Sequence, residues 1–182
     1  MSVLEVVKYG NPVLRKKCSK VTDFSKISDL IENMFDTMYE EEGIGLAANQ
    51  IGVDMNLFII DISHTDDNEF SRIFINGEII SSKGESVYSE GCLSMPDISL
   101  EVTRPEVILF KYQDIYEKWH EEEFDGLLAR VIQHEIDHLN GALIIDMVSE
   151  MQKLKVNKEV KKIKNNSINK LKQQSITKGF VL

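Results

Sequence analysis

Five consecutive residues, His134-Glu135-Ile136-Asp137-His138, constrain this 182-residue chain more than any other segment. Histidines four apart act together only on a helix, where they stand one turn above each other on one face. The flanks agree: Asp125 is an N-cap candidate, Gly141 a stop, and Leu127 and Val131 precede His134 on the same stripe. The pattern predicts a helix from Asp125 to about Asn140 that presents two imidazoles on its buried side. Such a pair can grip one metal ion. Glu135 sits about 100° around the helix, beside a water on that ion, where a general base belongs.

Two histidines leave a catalytic site incomplete, because such sites usually take three protein ligands and keep one position open. In the extended form of the pattern the third ligand falls at Ile144, which has no donor. The residues alone leave two alternatives. One is a downstream carboxylate (Asp146, Glu150 or Glu159), as in a zinc endopeptidase; the other is Cys92, which follows a glycine where a strand-like run ends. A closed structural zinc site would have no use for Glu135. Cys18 reads as a small buried hydrophobe, and His64 and His120 as solvent-facing.

Apolar spacing predicts an amphipathic helix over 23–41 and strands over 56–62, 72–80, 85–93, 105–112 and 116–124. A last helix follows over 149–164, and from Asn165 onward the pattern fades into an extended or mobile end. Helix, strands and helix without βαβ alternation indicate an α+β fold, a mostly antiparallel sheet packed around the central His134–His138 helix.

The net charge of −9 conceals two regions. Residues 151–182 hold nine Lys and one Glu, so a +8 tail follows a body of −17. We expect a catalytic domain over 1–148 and a basic helix and tail over 149–182. The acidic body argues against a DNA partner. No apolar run approaches the ~18 residues of a membrane span, and the start does not look like a secretory leader. Two cysteines without a disulfide framework fit a reducing, cytoplasmic setting.

Three segments together resemble the peptide deformylase family: Gly43-Ile44-Gly45-Leu46-Ala47-Ala48-Asn49-Gln50, Glu90-Gly91-Cys92-Leu93-Ser94, and Gln133-His134-Glu135-Ile136-Asp137-His138. The opening Tyr9-Gly10-Asn11-Pro12-Val13-Leu14-Arg15 is similar too, so the resemblance covers about residues 1–148. It implies removal of the formyl group from N-formylmethionyl nascent peptides, with release of formate. Carried over by motif, it makes Cys92, His134 and His138 the metal ligands and Glu135 the proton carrier. The Gln50 side chain and the Leu93 backbone N–H become the oxyanion donors. Gly43, Ile44 and Gly45 would pair with the peptide backbone, beside Glu90 and Gly91, while Ile44, Leu127 and Val131 would wall a methionine pocket. Arg104 and Asp137 would form an ion pair behind the ligands, and Glu90 is also placed to orient a histidine.

The resemblance further implies one divalent ion, Fe2+, although Zn2+, Ni2+ or Co2+ can occupy such a site in purified samples. It makes the basic tail a candidate ribosome contact; a solvated lysine-rich helix resting on the acidic body is the competing reading. A start without a presequence leans bacterial rather than organellar. Two positions depart from the family. Asn49 stands where many members carry proline and is expected to loosen its loop, and Ser99 replaces an arginine that often borders the cleft.

Overall fold

The structure, a computed structural model, describes residues 2–65 and 69–179. The chain forms α1 (Ser28–Glu40), β1 (Gly45–Ala47), β2 (Leu57–Ile60), β3 (Arg72–Lys83), β4 (Ser86–Cys92) and β5 (Met95–Arg104). It continues through β6 (Val107–Gln113), β7 (Trp119–Phe124), α2 (Gly126–Leu139), α3 (Glu150–Lys155) and α4 (Asn157–Gly179).

Two antiparallel sheets result, a five-stranded one in the order β1-β2-β3-β6-β7 and a hairpin of β4 and β5. All four residues of β2 are buried, because successive side chains point to opposite faces and both faces are covered. Phe58 and Ile60 join Phe74, Phe110 and Phe124 against Ile132, Ile136 and Leu139 of α2. Leu57 and Ile59 pack on Ile31, Met34 and Met38 of α1. The helix carrying the histidines is thus held on an aromatic layer, in which Phe58 and Phe74 stack 4.9 Å apart. A third apolar cluster joins Ile98, Leu100 and Val102 of β5 to Leu143, Ile144 and Ile145 after α2, with Val160 and Ile163 of α4 against it.

The α+β class and the long helix match expectation, and several boundaries differ for local reasons. The first helix starts at Ser28 rather than residue 23, because Asp23 Oδ1 accepts the Ser25 N–H and hydroxyl and locks a turn there. Asp114 similarly takes the N–H groups of Tyr116 and Lys118, which delays β7 to Trp119. Asp125 occupies the N-cap position of α2 without a side-chain cap bond. Strand β5 was not anticipated. Its alternation of buried Ile98, Leu100 and Val102 with exposed Ser99, Glu101 and Thr103 is regular, but Pro96 and a positive φ of 61° at Asp97 disguise its start.

The largest correction concerns the end of the chain. Instead of becoming extended or mobile at Asn165, the chain remains helical to Gly179, after a break at Val156 that separates α3 from α4. The helix continues because it has something to rest on. Ser167 Oγ donates to the Lys8 carbonyl (3.1 Å), and Lys170 Nζ reaches Glu5 (2.5 Å). His120 also differs from expectation: it stacks on Tyr112 at 5.3 Å, with Nε2 2.7 Å from Asp114, whereas His64 is exposed as expected. Cys18 is buried. Among the described residues no helix is long and apolar enough to cross a membrane.

Candidate metal centre

Three elements meet at one point. α2 supplies His134 and His138, the end of β4 supplies Cys92, and the short helical turn 48–51 after β1 supplies Gln50. Ligand atoms of Cys92, His134 and His138 all lie within 4.8 Å of one another, the sole such metal-ligating group among the described residues. Cys92 Sγ is 3.2 Å from His138 Nε2. One thiol and two imidazoles this close together make a donor set that fits a divalent transition metal.

His134 is held from behind, whereas the buried Nδ1 of His138 has no hydrogen-bond partner among the described residues. Glu90 Oε2 lies 3.0 Å from His134 Nδ1, which leaves Nε2 of that ring for the cluster. Glu90 in turn takes Nε and Nη2 of Arg104 at 2.7 and 2.9 Å and Nη1 of Arg130 at 2.9 Å. Arg104 Nη1 donates to Asp137 at 2.6 Å. Burial by itself would raise the Glu90 carboxyl, but His134 and Arg104 outweigh it and bring the group down to about 2. Both carboxylate oxygens are engaged, so Glu90 braces the His134 ring, and the residue also lines the cleft wall. Burial and the neighbouring His134 charge push His138 well below the usual imidazole range, which favours the neutral, ligating form.

Glu135 is 3% exposed, and its Oε2 has no protein partner among the described residues. Burial pushes it up to about 7, and the positive charges of His134 and Arg104 oppose the shift without cancelling it. A carboxyl poised there can take and return a proton near neutrality. Gly45 lies close beside it: a Cβ at that position would lie 2.5 Å from Glu135 Oε1 and 2.8 Å from Val131 Cγ1, so any larger residue would have to displace one of these side chains. Gln50 is 1% exposed, with Oε1 fixed by the Ala47 N–H (2.9 Å) and Nε2 aimed at Ser94 Oγ (3.3 Å) and Cys92 Sγ (3.9 Å).

A cleft of about 660 Å³ opens onto this point, lined by Gly43, Ile44, Gly45, Gly91, Leu93, Leu127 and Val131 among others. Each residue expected at the site therefore lines the cleft or stands directly behind it, with Arg104 and Asp137 in the rear network. The downstream carboxylates are elsewhere. Glu150 pairs with Lys153, its side chain 85% exposed; Asp146 pairs with Arg15; Glu159 is exposed. The zinc endopeptidase arrangement has no third ligand among them.

Four participants escaped the sequence reading. Arg130, one turn before His134, is buried and ties Glu90 to the Val102 and Ser86 carbonyls at 3.0 and 2.8 Å. A charged residue on an apolar stripe was its only signal. Ser94 meets Gln50, and Lys8 Nζ donates to the Leu93 carbonyl at 2.9 Å; neither had one. Asn49 was expected to loosen its loop and does the reverse, because it is fully buried and its amide donates to the His138 carbonyl. Ser99 lies at the cleft rim, its hydroxyl 2.7 Å from that of Ser89.

Comparison with known proteins agrees with this geometry. The family model for polypeptide deformylase matches residues 3–154. A peptide deformylase of Flavobacterium johnsoniae is 39% identical over 175 residues, covering 88% of this chain and 89% of its own. The crystal structure of a peptide deformylase from Legionella pneumophila superimposes with a TM-score of 0.82 at 39% identity, covering 92% of this chain and 98% of that one. The peptide deformylase of Thermus thermophilus gives 0.85 at 36% identity, covering 91% and 99%. With its donor triad, its buried glutamate and these relatives taken together, the chain belongs to the polypeptide deformylase family.

Proposed function

We propose that this protein hydrolyses the N-formyl group of N-formylmethionyl nascent peptides, yielding formate and a free α-amine. The observation that carries the reading is the convergence of Cys92, His134 and His138 beside a buried Glu135 in the wall of a cleft of about 660 Å³. Cys92, His134 and His138 would hold a divalent cation, which when bound would supply Lewis acidity toward the formyl carbonyl and water. Fe2+ is the ion we assign, on family resemblance.

The protein's own residues do the rest. Glu135 accepts the proton of the attacking water through its unpartnered oxygen and delivers it to the departing amine, so no net proton is left on the enzyme. The Gln50 amide, fixed by Ala47, and the Leu93 N–H face the charge that develops on the formyl oxygen. The substrate backbone adds as a strand beside Gly43–Gly45, and Ile44, Leu127 and Val131 enclose the methionine side chain. Glu90, Arg104 and Asp137 keep the His134 ring in register.

Formate release from a formyl-Met tripeptide, with enzyme prepared without oxygen, tests the reading. Turnover with Fe2+, lost on chelation and in Cys92→Ala, is expected; no turnover with any of Fe2+, Ni2+, Co2+ or Zn2+ refutes it. We place the protein in the bacterial cytoplasm, and its exposed Lys158, Lys161, Lys162 and Lys172 on α4 suit a contact with ribosomal RNA. Reversing those four charges should abolish a salt-dependent association with ribosomes, and an unchanged association would remove that partner.

A further inference from the structure

The cleft does not end at Gly43. A second groove of about 320 Å³ runs between residues 5–11 and α4, and Lys8, Glu41 and Pro96 line both spaces. The order along the first cleft is fixed by its contacts. Gly45 faces Glu135 and Val131, Gly43 faces Leu93 and Met38, and Glu42 and Glu41 follow toward the second groove. A peptide with its formyl end at the triad runs antiparallel to Gly45 and Gly43, and where the wall turns at Glu41–Glu42 (φ 55° at Glu42) it continues in extended form along that wall. It reaches Glu41 and the mouth of the groove after roughly four residues.

We propose that this groove binds the next stretch of the same formyl-peptide, roughly residues five to eight, with α4 as one wall. The proposal rests on the deformylase reading and extends it to longer chains. The lining suits a peptide of any sequence. Val7, Ile163 and Leu171 offer apolar surface, while Asn166 and Gln174 present amides that both donate and accept and that no side chain engages among the described residues. The charges around them are already paired, Lys8 with Glu41 at 3.4 Å and Lys170 with Glu5 at 2.5 Å, so neither sign of substrate side chain is favoured. The groove is also built before any ligand arrives. A Cβ on Gly10 would lie 2.8 Å from the Lys164 carbonyl oxygen, and Ser167 is bonded to the Lys8 backbone. Little ordering is left to oppose binding.

The test uses the full-length, metal-loaded enzyme and formyl-Met peptides of three, five and nine residues, extended with Ala, Ser and Gly. KM should fall about three- to tenfold between five and nine residues while kcat stays level. Asn166→Trp, which fills the groove from an exposed position, should bring the ratio of kcat/KM for the nonapeptide and the tripeptide toward one. A wild-type KM independent of length overturns the proposal. As an assay independent of that substitution, a formyl nonapeptide with a photoreactive seventh residue should label α4 or residues 5–11. Labelling confined to other segments also overturns it. Failure on the tripeptide counts against deformylation itself, whereas turnover without length dependence counts against the groove alone.

Discussion

The side-chain amide of Asn49 donates a hydrogen bond to the backbone carbonyl of His138, so the loop that carries Gln50 is latched to the peptide unit of one of the three clustered donor residues. The same carbonyl also receives the Gly141 N–H at 3.0 Å, where α2 ends. Asn49→Ala deletes a donor in a fully buried place and should cost about 1–3 kcal/mol of stability. It should also speed loss of the metal to a chelator. Equal dissociation rates in variant and parent would show that the latch serves the loop only.

Gly45→Ala should be nearly inactive while remaining folded. The added carbon would press on Glu135 Oε1 and Val131 Cγ1, either displacing the carboxylate or pushing the substrate strand outward. Steady-state kinetics on a formyl-Met peptide are the check, and a fall of less than tenfold would mean the contact relaxes harmlessly.

Glu135 gives a pH signature in the metal-free protein. Its folded value of about 7 lies above the ordinary 4.5, so between those values the folded state binds more protons and stability falls as pH rises. Glu135→Gln should therefore unfold at higher urea than the parent at pH 8, with the difference shrinking at pH 5. The same substitution should reduce turnover by 10²–10⁴-fold, the usual range for a lost general base. A variant less stable at pH 8 would contradict the assignment of burial as the cause.

Glu90 has the opposite sign. It is held at about 2 in the fold against 4.5 ordinarily, so its contribution is present above the higher value and lost as pH falls through the lower. The parent should weaken between pH 4.5 and 2 more steeply than Glu90→Gln. At neutral pH that variant, which leaves Arg104 and Arg130 buried with a neutral partner, should be less stable by about 3–5 kcal/mol. Urea midpoints across this range decide the matter.

The two thiols should separate cleanly. Burial, helped by the nearby Asp54 charge, pushes Cys18 up to about 11, whereas Cys92 lines the cleft. Iodoacetamide at pH 7.5 should modify Cys92 alone in metal-stripped protein and neither cysteine in the loaded enzyme. Rapid labelling of Cys18 in folded protein would contradict its place in the core.

Residues whose pattern has a period were readable from the chain alone. The histidine helix announced itself through Leu127, Val131, His134 and His138, and β2 through a run of β-formers. Residues whose role comes from a distant partner were not. Nothing near Lys8 or Ser94 in sequence points to Leu93 or Gln50, and Arg130 needs β4 and β5 in place before its bonds exist. The helix beyond Asn165 was missed for the same reason, since its support is the segment at Glu5–Gly10. The triad itself was reached from the sequence through the family's motifs; local spacing alone left Cys92 level with three carboxylates.

That support also imposes an order on biosynthesis. Lys8 emerges early and meets Ser167 only 159 residues later in the chain. Until then the opening segment, whose Val7 and Tyr9 N–H groups hold the backbone at Gln50 and Ser94, lacks its bond to α4. Folding can begin from the N-terminal side during synthesis, but the loops at Gln50 and Ser94 gain this outer brace only after α4 is made. The segment around Lys8 in this enzyme thus completes its contacts only when α4 reaches it.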